Sequence, residues 1–128
     1  MKYMIIGGVA GGASTAARLR RLDEQAEIIL FEKGEYISYA NCGLPYYIGG
    51  VIEERERLFV QTPESFKARF NIEVRIKSEV KAIEPENKQV VIKDWATGKT
   101  YRESFDKLVL SPGAEPVLPP WEGIRTEG

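Results

Sequence analysis

The sequence predicts an α/β chain in which a parallel sheet carries an antiparallel β-meander. Three observations lead there. The first 31 residues read strand, glycine-rich loop, helix, strand, which is a βαβ unit. From Ile72 onward the apolar period changes to two, the repeat of a half-buried strand. Lys107-Leu108-Val109-Leu110 then returns to an unbroken apolar run, as a strand of a parallel sheet does.

The elements follow in order. Tyr3-Met4-Ile5-Ile6 is a short apolar run that stops at glycines, a buried strand. Ala13 to Leu22 is rich in Ala, Leu and Arg, all good helix formers. Glu27-Ile28-Ile29-Leu30-Phe31 is a second buried strand. Residues 34–61 are irregular, with Asn41 as the expected N-cap of a short helix that begins at Cys42. Thr62-Pro63-Glu64 is a firmer start: a capping threonine, proline at the first helical position and an acid in the first turn. That helix is expected to run to about Phe70. Ile72, Val74 and Ile76 alternate with polar residues. Val80–Ile83 and Gln89–Ile92 flank the turn Pro85-Glu86-Asn87-Lys88, and Ala96-Thr97-Gly98-Lys99 leads to a strand at Tyr101–Phe105. These form the expected meander. Pro112, Pro116, Pro119 and Pro120 end regular structure after Leu110.

Composition narrows the function. The 128 residues make one ordinary domain, with 43% apolar and 29% charged residues and a net charge of −1. Both signs are spread along the chain and there is no long basic block, which argues against a nucleic-acid partner. One cysteine precludes an internal disulfide and a four-cysteine zinc site. The absence of histidine precludes Cys-His and Ser-His-Asp catalysis by this chain alone. No apolar run approaches the ~18 residues of a membrane span. A reduced, cytoplasmic setting is the expectation.

Gly7-Gly8-Val9-Ala10-Gly11-Gly12 lies between the first strand and the helix. A glycine turn there lets backbone approach a pyrophosphate, and the helix N-terminus supplies free N–H groups and partial positive charge. Val9 replaces the middle glycine of the G-x-G-x-x-G frame. Glu32 ends the second strand 20 residues after Gly12, the spacing at which an acid meets the ribose of an adenine dinucleotide. The plainer alternative is a tight turn with no ligand.

Ser38-Tyr39-Ala40-Asn41-Cys42-Gly43-Leu44-Pro45-Tyr46-Tyr47 is the most unusual stretch. A cysteine opening a helix has its thiolate stabilised by the free N–H groups, and such a thiolate attacks a disulfide or a peroxide. The alternative is a small buried apolar residue, the commonest fate of a free cysteine.

The glycine loop through Ser14, together with the Ser38–Tyr47 segment, resembles the coenzyme A–disulfide reductases, a branch of the FAD-dependent pyridine nucleotide–disulfide oxidoreductases. Lys107–Ala114 resembles that superfamily's strand and turn beside the flavin. The resemblance implies a Rossmann-like FAD/NAD(P)-binding fold. It implies Cys42 as the redox cysteine, alternating between thiolate and a mixed disulfide with coenzyme A. It implies FAD contacts at Gly7, Gly8, Val9, Ala10, Gly11, Gly12, Glu32, Lys33, Val80, Ser111 and Gly113. Coenzyme A contacts fall on Ser14, Arg18, Arg21, Ser38 and Asn41, and Phe70 stands where some relatives carry a basic residue. The geometry of the first helix agrees: at about 100° per residue, Ser14, Arg18 and Arg21 share one face, opposite Gly12, Ala16 and Leu19. An anionic ligand favours such a face, and a solvated surface is the alternative.

Relatives of this kind are several times longer. Residues 1–128 are therefore expected to be the N-terminal part of an FAD domain, with NAD(P)H and dimerisation domains outside this chain and a homodimeric parent. The expected activity is reduction of a small-molecule disulfide. An NADH oxidase or peroxidase, a polysulfide reductase and a non-catalytic dinucleotide-binding module are the rivals. Related domains order their parallel strands 3-2-1-4-5, so a fifth strand is missing here. That leaves Leu108, Val109 and Leu110 on an open apolar edge, and self-association through it, or exchange of Pro112–Gly128, is the expectation.

Overall fold

The computed structural model describes residues 1–126. β1 (Lys2–Ile6) lies inside a parallel sheet, between β2 (Glu27–Phe31) and β7 (Lys107–Leu110), with β3 (Glu73–Arg75) beyond β2. The order is β3-β2-β1-β7. The register pairs Lys2 with Glu27 and Ile6 with Phe31, and on the other side Tyr3 with Lys107 and Ile6 with Leu110. A strand covered on both faces needs apolar residues at every position, and Met4 and Ile5 are both fully buried.

The two faces of this sheet carry separate cores. Ile5, Ile28 and Leu30 pack with Ala13 and Ala16 of α1 (Ala10–Leu22) and with Phe66 of α3 (Pro63–Phe70). Met4, Ile29 and Phe31 point the other way, onto Val90 and Ile92. Those two belong to β5 (Gln89–Asp94), the middle strand of an antiparallel meander with β4 (Ser78–Glu84) and β6 (Thr100–Ser104). The molecule thus has three layers: helices, parallel sheet, meander.

Polar links lock the layers. Glu103 on β6 accepts from Lys2 Nζ at 2.6 Å and from Arg75 at 2.8 Å, joining the meander to both β1 and β3. Burial disfavours the charge of Glu103, but the Lys2 and Arg75 hydrogen bonds outweigh it and hold the carboxyl below its ordinary range. Arg20 ties the helices together. Its guanidinium donates to the carbonyls of Phe70 and Asn71 at 2.8 and 2.9 Å, and to that of Glu24 at 2.7 Å.

The structure shifts four expectations. α1 starts at Ala10, not Ala13, because Gly11 and Gly12 are helical in spite of low propensity. Glu73–Arg75 pairs parallel with β2 instead of entering the meander, because Ile72 is drawn into the helix-side core. β6 spans Thr100–Ser104, one residue earlier than expected. Asn41 caps no helix: Asn41–Gly43 is a single 3₁₀ turn preceded by Ala40. α2 (Leu44–Ile48) begins beyond it, with Pro45 in its first turn, a residue that has no N–H to cap. Thr62 is the cap expected, and Ser65 completes a reciprocal capping box with it.

β7 pairs only with β1 among the described residues, so its outer backbone edge is open. Leu110 is exposed there, whereas Leu108 and Val109 pack against the two cores. The last two positions of the expected 112–128 exchange segment lie outside the described residues.

Candidate functional site

The loop from Gly7 to Gly12 is shaped by what leaves no room for side chains. Gly7 has φ +95°, and a Cβ on it would collide with the Ser111 carbonyl. A Cβ on Gly12 would collide with the Gly7 carbonyl, so α1 can sit down on the loop only through glycine. Val9 is the N-cap residue and offers no side-chain cap, and the first turn holds no acid. The helix therefore begins with its backbone donors uncapped by side chains and its positive end unneutralised, the condition that suits an anion. Ala10 and Gly11 are exposed at this mouth.

Glu32 is buried, yet both its oxygens are bonded. Oε2 accepts from Gly8 N–H and Oε1 from Gly34 N–H, each at 2.8 Å. The carboxylate thereby joins the loop after β1 to the loop after β2. A cleft of about 200 Å³ opens beside it, lined by Gly7, Glu32, Lys33 and Val80. Ser78, Glu79 and Pro112 also line it, and none of these three is among the site residues the sequence predicts. Ser78 N–H donates to the Glu32 carbonyl at 2.9 Å, so β4 turns that residue away from β5. By the alternation of an antiparallel ladder, Val80 also aims its backbone away from β5. Ser111 donates its N–H to the Ile6 carbonyl at 2.8 Å, and its side chain faces Gly11. Gly113 follows, exposed, with φ +74°.

The cysteine segment is latched to the same loop. Ser38 N–H donates to the Gly8 carbonyl at 2.8 Å, Val60 N–H donates to the Ser38 carbonyl at 3.1 Å, and Ile37 packs over Gly8. Ser38 itself has φ +52°, a conformation that alternation or composition does not announce. Tyr39 bridges Phe59, and Ala40 N–H reaches the Leu58 carbonyl at 2.8 Å. Cys42 sits in the 3₁₀ turn with its thiol exposed, which disposes of the buried-residue alternative.

The arginine face divides. Ser14, Arg18 and Arg21 are exposed, opposite buried Gly12, Ala13 and Ala16. A second cleft, of about 390 Å³, brings together Ser14, Arg21 and Ser38 with Gln61, Phe66 and Phe70. Arg18 and Asn41 do not line it. The i, i+4 spacing of Phe66 and Phe70 was the available signal for its aromatic wall. Gln61 carried none. Among the described residues no three His, Cys, Asp or Glu side chains gather as metal ligands, and no helix is long and apolar enough to cross a membrane.

Comparison with known proteins adds the family. Residues 1–128 match the description pyridine nucleotide-disulphide oxidoreductase along their whole length. The chain belongs to that family. Its members are FAD- and NAD(P)H-dependent. The coenzyme A disulfide reductase of Staphylococcus epidermidis is 48% identical over 113 residues, covering 88% of this chain and 26% of the relative. The reduced Bacillus anthracis CoADR-RHD superposes with a TM-score of 0.90 at 60% identity, over 93% of this chain and 21% of that one. A NAD-dependent persulfide reductase from A. fulgidus superposes with a TM-score of 0.93 at 39% identity, over 100% of this chain and 24% of that one. The chain spans about a quarter of the length of the curated relatives it matches. Within the family, the three-layer arrangement is the expected Rossmann-like fold with its meander.

Proposed function

We propose that residues 1–128 form the N-terminal, redox-cysteine part of the FAD-binding domain of an NAD(P)H-dependent flavoprotein that reduces coenzyme A disulfide. The observation that carries this reading is the hydrogen bond from Ser38 to Gly8, which puts the Cys42 segment and the glycine loop in one rigid frame. A redox thiol must keep a fixed position relative to the group that reduces it.

The residues fit a dinucleotide. Gly7, Gly8, Gly11 and Gly12 leave a backbone cradle, with Val9 and Ala10 at an uncapped helix start for the pyrophosphate. Glu32 and Lys33 take the ribose side of the first cleft and Val80 the adenine side, while Ser111 and Gly113 border the loop. Bound FAD would supply the electron pair, drawn from the nicotinamide nucleotide.

Cys42 does the disulfide chemistry. Its thiolate attacks one sulfur of coenzyme A disulfide, forming a Cys42–coenzyme A disulfide and expelling the other half as a thiolate. The chain has no second cysteine to resolve this bond, so two electrons from outside must cleave it. Ser14, Arg18 and Arg21 face the anionic part of the substrate, with Ser38 and Asn41 nearer the thiol.

Intact mass of protein purified without reductant tests the reading. A coenzyme A adduct that Cys42→Ser removes is expected. Added oxygen on Cys42 points to the oxidase or peroxidase chemistry instead, and a bare, unreactive thiol overturns the proposal. The open β7 edge further supports self-association of this chain. Light scattering is expected to give more than one copy, and a monomer with protected Val109 N–H removes that inference.

A further inference from the structure

Three aromatic rings meet beside the cysteine segment, and the proposed chemistry does not use them. Phe59 touches both of the others. Its ring stacks on Tyr36, with centroids 4.6 Å apart and planes at 21°, and is tilted against Tyr39 at 5.6 Å and 47°. The Arg55 guanidinium stands 5.3 Å from the Tyr36 centroid. Tyr36 and Tyr39 are three residues apart, so in an extended strand they would face opposite ways. Ser38, left-handed between them, breaks that alternation, and both rings meet Phe59. A serine holds φ +52° only where its surroundings over-determine it.

The backbone beside Phe59 seats the turn that carries the thiol. Tyr39 bridges Phe59, and Ala40 N–H donates to the Leu58 carbonyl at 2.8 Å. Gly43 N–H donates to the Ala40 carbonyl at 3.0 Å, closing the turn around Cys42. The buried Leu58 side chain packs against Gly43. Phe59 is thus next in the chain to the residue that seats the turn, and its ring grips the segment that leads into it. Stacked rings hold a defined relative orientation, which an aliphatic side chain does not impose.

We propose that Phe59 is a positioning residue for Cys42: its ring fixes segment 36–43 so that the thiol meets the sulfur of a substrate anchored elsewhere on the chain. This rests on the reading of Cys42 as the residue that exchanges with coenzyme A disulfide. Placement governs the rate for an anchored disulfide, because a shift of about 1 Å already costs reactivity. A small reagent with no anchor meets the thiol wherever it lies.

The test compares two reactions of the reduced chain, freed of reductant. In one, the Cys42 thiolate attacks coenzyme A disulfide. A Cys42–coenzyme A S–S bond forms, the substrate S–S bond breaks, and one coenzyme A thiolate leaves and is counted by chromatography. In the other, iodoacetamide alkylates Cys42. Phe59→Leu is expected to lower the maximal rate of adduct formation about tenfold, with the half-saturating disulfide concentration and the iodoacetamide rate unchanged. Phe59→Tyr is expected to restore the parental rate. Tyr36→Leu, at an exposed ring, removes one side of the clamp and is expected to slow adduct formation about threefold. It decides the matter if thermal melts show Phe59→Leu unfolded. A parental rate in the leucine variant, an equal loss with both reagents, or a loss confined to half-saturation overturns the positioning role and leaves the exchange chemistry in place. A parent that reacts with iodoacetamide and not with coenzyme A disulfide overturns both.

Discussion

The glycine loop and the cysteine segment are neighbours, and they are held in different ways. The loop is gripped on every side by regular structure. β1 enters it, α1 leaves it, Glu32 bonds it from below and Ser111 closes on it from β7. The cysteine segment has no sheet or long helix of its own. It hangs on a few contacts from distant residues: Ser38 on Gly8, Ala40 on Leu58, Tyr39 on Phe59. One region is made stiff by sterics, the other is positioned by attachment. A dinucleotide cradle rests on the first, and the redox thiol is held in place by the second.

The contrast can be broken or sharpened by substitution. The largest effect is expected at Gly12→Ala. Its Cβ would run into the Gly7 carbonyl, and backbone cannot step aside. A loss of more than about 3 kcal/mol, read by denaturant unfolding, is expected. Retention of parent stability would mean that the loop is as adaptable as the cysteine segment.

Glu103→Gln comes next and leaves both regions chemically intact. It loosens the meander, whose Ser78, Glu79 and Val80 wall the first cleft. The loss is expected to be about 1–3 kcal/mol at neutral pH, since Arg75 and Lys2 lose a charged partner. The pH dependence has a definite sign. A carboxyl depressed by folding contributes above its unfolded value, near 4.5, and loses that contribution as pH falls through the lower folded value. Wild-type stability is expected to fall more steeply than that of Glu103→Gln below pH 4.5. Parallel curves would remove the clamp from the account.

The smallest effect is expected at Gly43→Ala. Its Cβ meets Leu58 Cδ2 at 2.6 Å, the tip of a buried side chain and not backbone. Global stability is expected to change by about 1 kcal/mol. Hydrogen exchange at Ala40 N–H is expected to speed up, because Leu58 holds that contact. A global unfolding comparable to that of Gly12→Ala would erase the distinction between the two regions.

Legibility in the sequence follows the same line. Continuous apolar runs mark buried parallel strands, and β2 (Glu27–Phe31) and β7 (Lys107–Leu110) coincide with two of them. The start of α3 at Thr62–Pro63 is legible from cap chemistry that acts within four residues. Glu32 and the glycines followed from a spacing rule whose cause is the βαβ geometry itself. What was missed depends on distant partners. Tyr39 pairs with Phe59 across 20 residues of no periodicity. Asn41 looked like a cap because cap propensity is local, while the turn it occupies is set by Ala40 reaching Leu58. Gln61 joins the second cleft only because α3 and α1 pack together.

Glu32 carries a consequence for timing. Its two oxygens give one loop after β1 and another after β2 a common reference within the chain itself. The entropy of ordering those loops is lost on folding, before any guest is met. Association then has little left to arrange, and the cost of ordering chain at the moment of contact falls away. A glutamine in that place would turn an NH₂ toward one of two N–H groups, donor against donor. The loops would part, and each arriving ligand would have to gather them again.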